Sequence, residues 1–106
     1  MLYREYVSTG DKISIIGFGG IVVKNETSSD VSNYVSYAYD NGVNYFDVAP
    51  AYGNAEQNLG PALSPYRKNV FLACKTGKRT YKEAQKEFEN SLHNMKTDYF
   101  DLYQMH

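Results

Sequence analysis

The sequence predicts an α/β fold built on a parallel sheet. Three observations carry that reading. Apolar runs of strand length recur at residues 43–48, 70–75 and 99–106. Amphipathic segments of helical period separate them. Strands that alternate with helices in this way pair in parallel through right-handed crossovers.

Taken in order, residues 2–14 interleave polar and apolar side chains around Thr9-Gly10-Asp11, the pattern of a short β-hairpin with a glycine turn. Residues 13–20 then read as one strand running into Gly17, Gly19 and Gly20. Thr27, with Asp30 three positions later, is the capping box of a helix. On that helix Val31, Tyr34, Val35, Ala38 and Tyr39 form a single apolar stripe, and Asn41-Gly42 stops it. A second strand covers 43–48, a loop 50–54, and a short helix 55–63 that Ser64-Pro65 ends. After the third strand at 70–75, Thr80 and Glu83 open another helix. Ala84, Phe88 and Leu92 stack along it, it ends near Asn94, and the fourth strand follows.

With 106 residues the chain suffices for one compact domain and not for two. Eleven basic and twelve acidic residues are mixed along it for a net charge of -1, so no basic stripe exists to follow a nucleic acid. The one cysteine, Cys74, cannot form an internal disulfide, so a reducing cytoplasm is the expected setting. Residues 1–20 hold Arg4, Glu5, Asp11 and Lys12 and lack the apolar centre of a signal peptide. No stretch approaches the roughly 18 continuous apolar residues of a membrane span, and no membrane partner is expected.

The strand ends draw the eye to chemistry. The second strand closes on Asp47, the third on Lys75 and the fourth on His106, with Tyr52 in the loop just past Asp47. Parallel α/β sheets place active sites at the carboxyl ends of their strands. Alternation along a strand gives a test. If Asp47, Lys75 and His106 point to one face, so do Tyr45, Phe71, Ala73, Leu102 and Gln104. Phe46, Asn44 and Cys74 then point to the helices.

These residues also carry a family resemblance. The run Asp47-Val48-Ala49-Pro50-Ala51-Tyr52-Gly53, followed by Glu56-Gln57-Asn58-Leu59-Gly60, resembles the first aldo-keto reductase signature. The segment Leu72-Ala73-Cys74-Lys75-Thr76-Gly77 resembles the family's lysine strand, and residues 98–106 its histidine strand. The opening hairpin and Ile16-Gly17-Phe18-Gly19-Gly20 match the family's start. The resemblance spans the whole chain in the right order. It implies the N-terminal part of a (β/α)8 TIM barrel: a β-hairpin, then four parallel strands alternating with helices. Residues 1–106 are then a single partial domain, since a complete barrel takes about 250 residues.

The resemblance further implies an NADPH-dependent carbonyl reductase, or alcohol dehydrogenase, acting on an aldehyde or ketone. It assigns Tyr52 as the general acid, Lys75 as the cation that eases its deprotonation, Asp47 as the partner of Lys75, and His106 as an orienting donor to the substrate oxygen. It places the cofactor beside Gly20, Ile21 and Asp47. An alternative reading is a catalytically inactive half-barrel with a structural or assembly role. A third, a small flavodoxin-like nucleotide module, leaves the four residues unexplained.

Other features read plainly. The glycines at 17, 19 and 20 lack the third spaced glycine of a dinucleotide fingerprint and let the first strand turn close to the cofactor or to packed neighbours. Cys74 is a small buried hydrophobe, His93 is solvated, and Lys78-Arg79 is a solvated turn rather than a phosphate site. Asp47, His93 and His106 lack the spacing of a metal site, and none is expected. A half-barrel exposes two unpaired strand edges and an inner face that includes Tyr45, Phe71 and Leu102, so dimerisation or association through those edges is expected.

Overall fold

The computed structural model describes all residues, 1–106. An antiparallel hairpin, β1 (Tyr3–Glu5) and β2 (Lys12–Ser14), precedes a four-stranded parallel sheet. The sheet runs in sequence order through β3 (Phe18–Gly19), β4 (Tyr45–Asp47), β5 (Phe71–Thr76) and β6 (Leu102–Met105). Helices α1 (Ser28–Asp40), α2 (Ala55–Leu63) and α3 (Tyr81–Met95) make the crossovers. This is the succession of elements the sequence predicts.

The helix boundaries follow the expected chemistry. Thr27 Oγ1 accepts the backbone N–H of Asp30, and Thr80 Oγ1 accepts that of Glu83. Gly42, at φ +94°, takes the left-handed turn after α1. Pro61 lies inside α2, and the chain tightens into a 3-10 turn over Ser64–Asn69. Gly60 lets α2 lie against the end of α3: a Cβ there would stand 2.5 Å from the Met95 carbonyl oxygen.

The expected strand 13–20 is in fact two. β2 stops at Ser14, whose hydroxyl donates to the Ile16 carbonyl at 2.7 Å and turns the chain. Asn44 holds the corner: its Oδ1 accepts from Ser14 N at 2.7 Å, and its Nδ2 donates to the Lys12 carbonyl at 2.7 Å. β3 is thus a two-residue strand in a different sheet, and the Tyr45 ring packs over the space where Gly17 would carry a side chain.

The core lies between the sheet and the helices. Phe46, Val48, Leu59, Leu63, Leu72, Val31, Val35 and Cys74 are buried there. The alternation argument holds for Phe46 and Cys74, which lie on the helix side, whereas the Asn44 side chain is bonded to the hairpin. One expectation about the opposite face fails. Phe71 was expected to meet water, yet it is only 5% exposed. Tyr6, beyond the hairpin's first strand, meets its ring edge-on at 5.3 Å, and Tyr45 does so at 5.8 Å. The hairpin closes the lower end of the sheet, a long-range contact that no local pattern announces.

Candidate active site

The four singled-out residues lie at the carboxyl ends of the strands, and the register shows why they meet. Asp47 pairs with Ala73, so Lys75 stands two residues further along β5 on the same face. Lys75 in turn pairs with Gln104, which puts His106 two residues beyond that level. Such a stagger from strand to strand belongs to a sheet curving toward a barrel.

Three of the four are joined by hydrogen bonds. The Lys75 ammonium donates to Asp47 Oδ2 at 2.8 Å and to the Tyr52 hydroxyl at 3.1 Å. His106 approaches less closely. Its ring stands edge-on to Tyr52 at 6.1 Å between centroids. The backbone N–H of His106 donates to the Thr76 carbonyl at 2.8 Å, continuing the ladder beyond β6. Arg79 donates to the His106 carbonyl at 3.0 Å, so one member of the Lys78-Arg79 pair ties down the end of β6 rather than standing free.

Burial works against a charged Lys75, but the hydrogen bonds from its ammonium to Asp47 and Tyr52 outweigh that cost and raise its pKa. The sign gives a prediction. A raised lysine pKa adds stability that is fully present below the ordinary lysine value and is lost as pH climbs through the folded value. As pH rises from the ordinary lysine value of about 10.4 through the raised folded-state value, the wild-type protein is expected to lose more unfolding free energy than Lys75→Met. Parallel stability curves for the two proteins would refute the coupling.

Behind the sheet, burial and the neighbouring Glu56 carboxylate push the Cys74 thiol up to about 12, which leaves it unreactive. Glu56 is itself buried, accepts Asn94 Nδ2 at 3.0 Å and sits 3.7 Å from the Cys74 sulfur. Burial likewise raises Tyr45, with the Asp47 charge adding to it. Tyr45 flanks the site on the same face as Asp47, and the alternation of β4 signals that position.

A nicotinamide nucleotide fits what these residues leave open. Asp47 Oδ1 is buried and has no hydrogen-bond partner. Gly20 is buried against the backbone of Asp47 and Val48, where any side chain would collide with the Asp47 carbonyl. Gly20 therefore packs tightly there, and the next residue, Ile21, is exposed. The largest surface concavity, about 1100 Å³ and lined by Arg67, His93 and Lys96 among others, lies at the opposite ends of the strands and touches none of the four. No group of three metal-ligating side chains is assembled, and no helix is long and apolar enough to cross a membrane.

The fold and site together define half of a parallel α/β barrel with a lysine bridging an aspartate and a tyrosine at its rim. The family model described as "Aldo/keto reductase family" matches residues 15–106, and the chain belongs to that family. It is 35% identical to the aldo-keto reductase YhdN of Bacillus subtilis, over all of this chain and 38% of the relative. It is 33% identical to L-galactose dehydrogenase of Arabidopsis thaliana, over 97% of this chain and 37% of the relative. Among solved structures, a putative aldo-keto reductase from Pseudomonas aeruginosa superimposes with a TM-score of 0.91 at 28% identity, covering 99% of this chain and 46% of the other. An aldo-keto reductase from Bacillus halodurans, in its apo form, gives 0.77 at 30% identity over 100% and 37%. The chain therefore spans about two fifths of the length of the curated relatives it matches.

Proposed function

We propose that these residues form the catalytic half of an NADPH-dependent carbonyl reductase. The observation that carries this reading is the Lys75 ammonium held between Asp47 Oδ2 and the Tyr52 hydroxyl. Tyr52 is the general acid: it donates its phenolic proton to the oxygen of an aldehyde or ketone as negative charge develops there. An adjacent ammonium stabilises the phenolate that remains, so Lys75 lowers the cost of that transfer. Asp47 keeps Lys75 charged and aimed. His106 donates to the same substrate oxygen and sets the carbonyl's orientation. Asp47 Oδ1, Ile21 and the backbone at Gly20 would help hold the nucleotide, which would supply the hydride. NADPH titration, and NADPH oxidation with a broad aldehyde or quinone substrate, test the reading. The Tyr52→Phe protein is the control.

β3 and β6 are the edges of the sheet, and Tyr45 and Leu102 on its inner face are only half-buried. This chain, prepared by itself, pairs through those edges as a dimer or with a complementary half. Sedimentation at micromolar concentration is expected to show a species larger than a monomer, and a stable folded monomer refutes it. A buried, unreactive Cys74 suits a reducing cytoplasm.

A further inference from the structure

Tyr52 sits in neither strand nor helix. Its turn is secured locally by two backbone bonds: Tyr52 N donates to the Ala49 carbonyl at 3.1 Å, and Ala55 N donates to the Tyr52 carbonyl at 3.1 Å. Turns of this kind lie at the less stable end of a structure unless something else restrains them.

Here the restraint comes from the segment after β3, a 3-10 turn over Gly20–Val23 and the residues that follow it. Asn54 occupies the N-cap position of α2, yet its side chain makes no capping bond. Asn54 Oδ1 instead accepts the backbone N–H of Asn25 at 2.8 Å, and Asn25 adopts φ +64°. Asn58, one turn into α2, donates through Nδ2 to the Val23 carbonyl at 2.9 Å and to the Glu26 carbonyl at 3.4 Å. Between these bonds the stem of Lys24 lies over Gly53, where a Cβ would stand 2.9 Å from Lys24 Cε. Residues 23–26 are thus fastened to residues 53, 54 and 58 by side chains that have no part in proton transfer.

We propose that Asn54 and Asn58 are positioning residues that clasp residues 20–26 to the Tyr52 turn, and so keep the phenol within reach of Lys75. The functional half of this proposal rests on Tyr52 being the proton donor. The Lys75–Tyr52 bond is already 3.1 Å long, so a further displacement of about 1 Å breaks it. A shift of that size at a reacting group is costly to the rate. The two asparagines work with opposite polarity, since Asn54 accepts and Asn58 donates. Aspartate, nearly the same shape, therefore preserves the first and destroys the second.

The test is hydrogen–deuterium exchange of residues 20–26 and 48–54 in the parent protein and in Asn54→Ala, Asn54→Asp and Asn58→Asp. Asn54→Ala and Asn58→Asp are expected to speed exchange about tenfold in both segments, while Asn54→Asp stays within about twofold of the parent. In the turnover assay the same two variants are expected to lower kcat about tenfold and to leave KM within about twofold. Faster exchange in 20–26 with 48–54 unchanged overturns the clasp. So does an Asn54→Asp protein as loose as Asn54→Ala, or an unchanged kcat in a reductase that turns over. Absence of turnover in the parent would count against Tyr52 as the acid, whereas the exchange comparison decides the clasp without it.

Discussion

Tyr52→Phe is expected to reduce the rate of NADPH-dependent carbonyl reduction by a factor of about 10²–10⁴, the range that a positioned general acid contributes. The substitution removes one oxygen and keeps the ring. The bond from Lys75 to Asp47 at 2.8 Å is untouched, so the fold and NADPH affinity should stay close to those of the parent. The loss then falls on kcat rather than on binding, because the proton is needed only as the alkoxide develops. Steady-state kinetics and an NADPH titration on both proteins check this. Turnover that survives the substitution removes Tyr52 from the reaction. A matched loss of NADPH binding would instead assign the hydroxyl to the nucleotide site.

Arg67→Ala carries the largest expected effect on stability. Arg67 Nε donates to Thr97 Oγ1 at 3.0 Å, Nη1 to Asp101 Oδ2 at 3.1 Å and Nη2 to the Tyr99 carbonyl at 2.8 Å. Its guanidinium lies 3.8 Å above the Tyr99 ring. Asp101 Oδ2 also accepts the backbone N–H of Leu72 at 2.8 Å, so this one cation links the start of β5 to the approach of β6. Both charged side chains are largely shielded, at 12% and 23% exposure. Removing the guanidinium leaves Asp101 without its counter-charge, at a cost of roughly 2–3 kcal/mol. For a domain of this size that lowers Tm by roughly 10 °C or more. Arg67→Lys should fall between, since a lysine keeps the charge and loses the planar fork. Thermal unfolding measures both, and an Arg67→Ala protein within about 2 °C of the parent would discard this account.

Much of the fold was legible because it is written in local terms. Thr27 and Thr80 bind backbone N–H groups three residues on, whatever the rest of the chain does. Alternation along β4 and β5 separated Phe46 and Cys74 from Asp47 and Lys75. Misreadings arose where a distant residue decided. Residues 13–20 look like one strand because Ile13, Ile15, Ile16 and Phe18 make a nearly continuous apolar run that leads into the glycines. Asn44, about thirty positions away, supplies the bonds that bend it. Phe71 looked exposed because an inward residue of a half-barrel faces solvent until something covers it, and Tyr6 of the hairpin segment does so. His93 did prove exposed, as its polar helix stretch predicted.

The candidate site divides in the same way. Asp47, Tyr52, Lys75 and His106 could be picked out from strand ends and motif spacing. By itself the sequence determined that Asp47, Lys75 and His106 stand at the strand ends on one face, since the two-residue period of a strand dictates the face each side chain takes. Only the tertiary structure decided how closely they meet. The register of β4, β5 and β6 brings Lys75 into hydrogen bonds with Asp47 and Tyr52 and leaves the His106 ring 6.1 Å from that of Tyr52. The tertiary structure also recruited Asn54, Asn58 and Arg67, which no motif marks. Their partners lie about thirty residues away in sequence, and hydrogen bonds over such separations come from the packing of whole elements, which local periodicity does not encode.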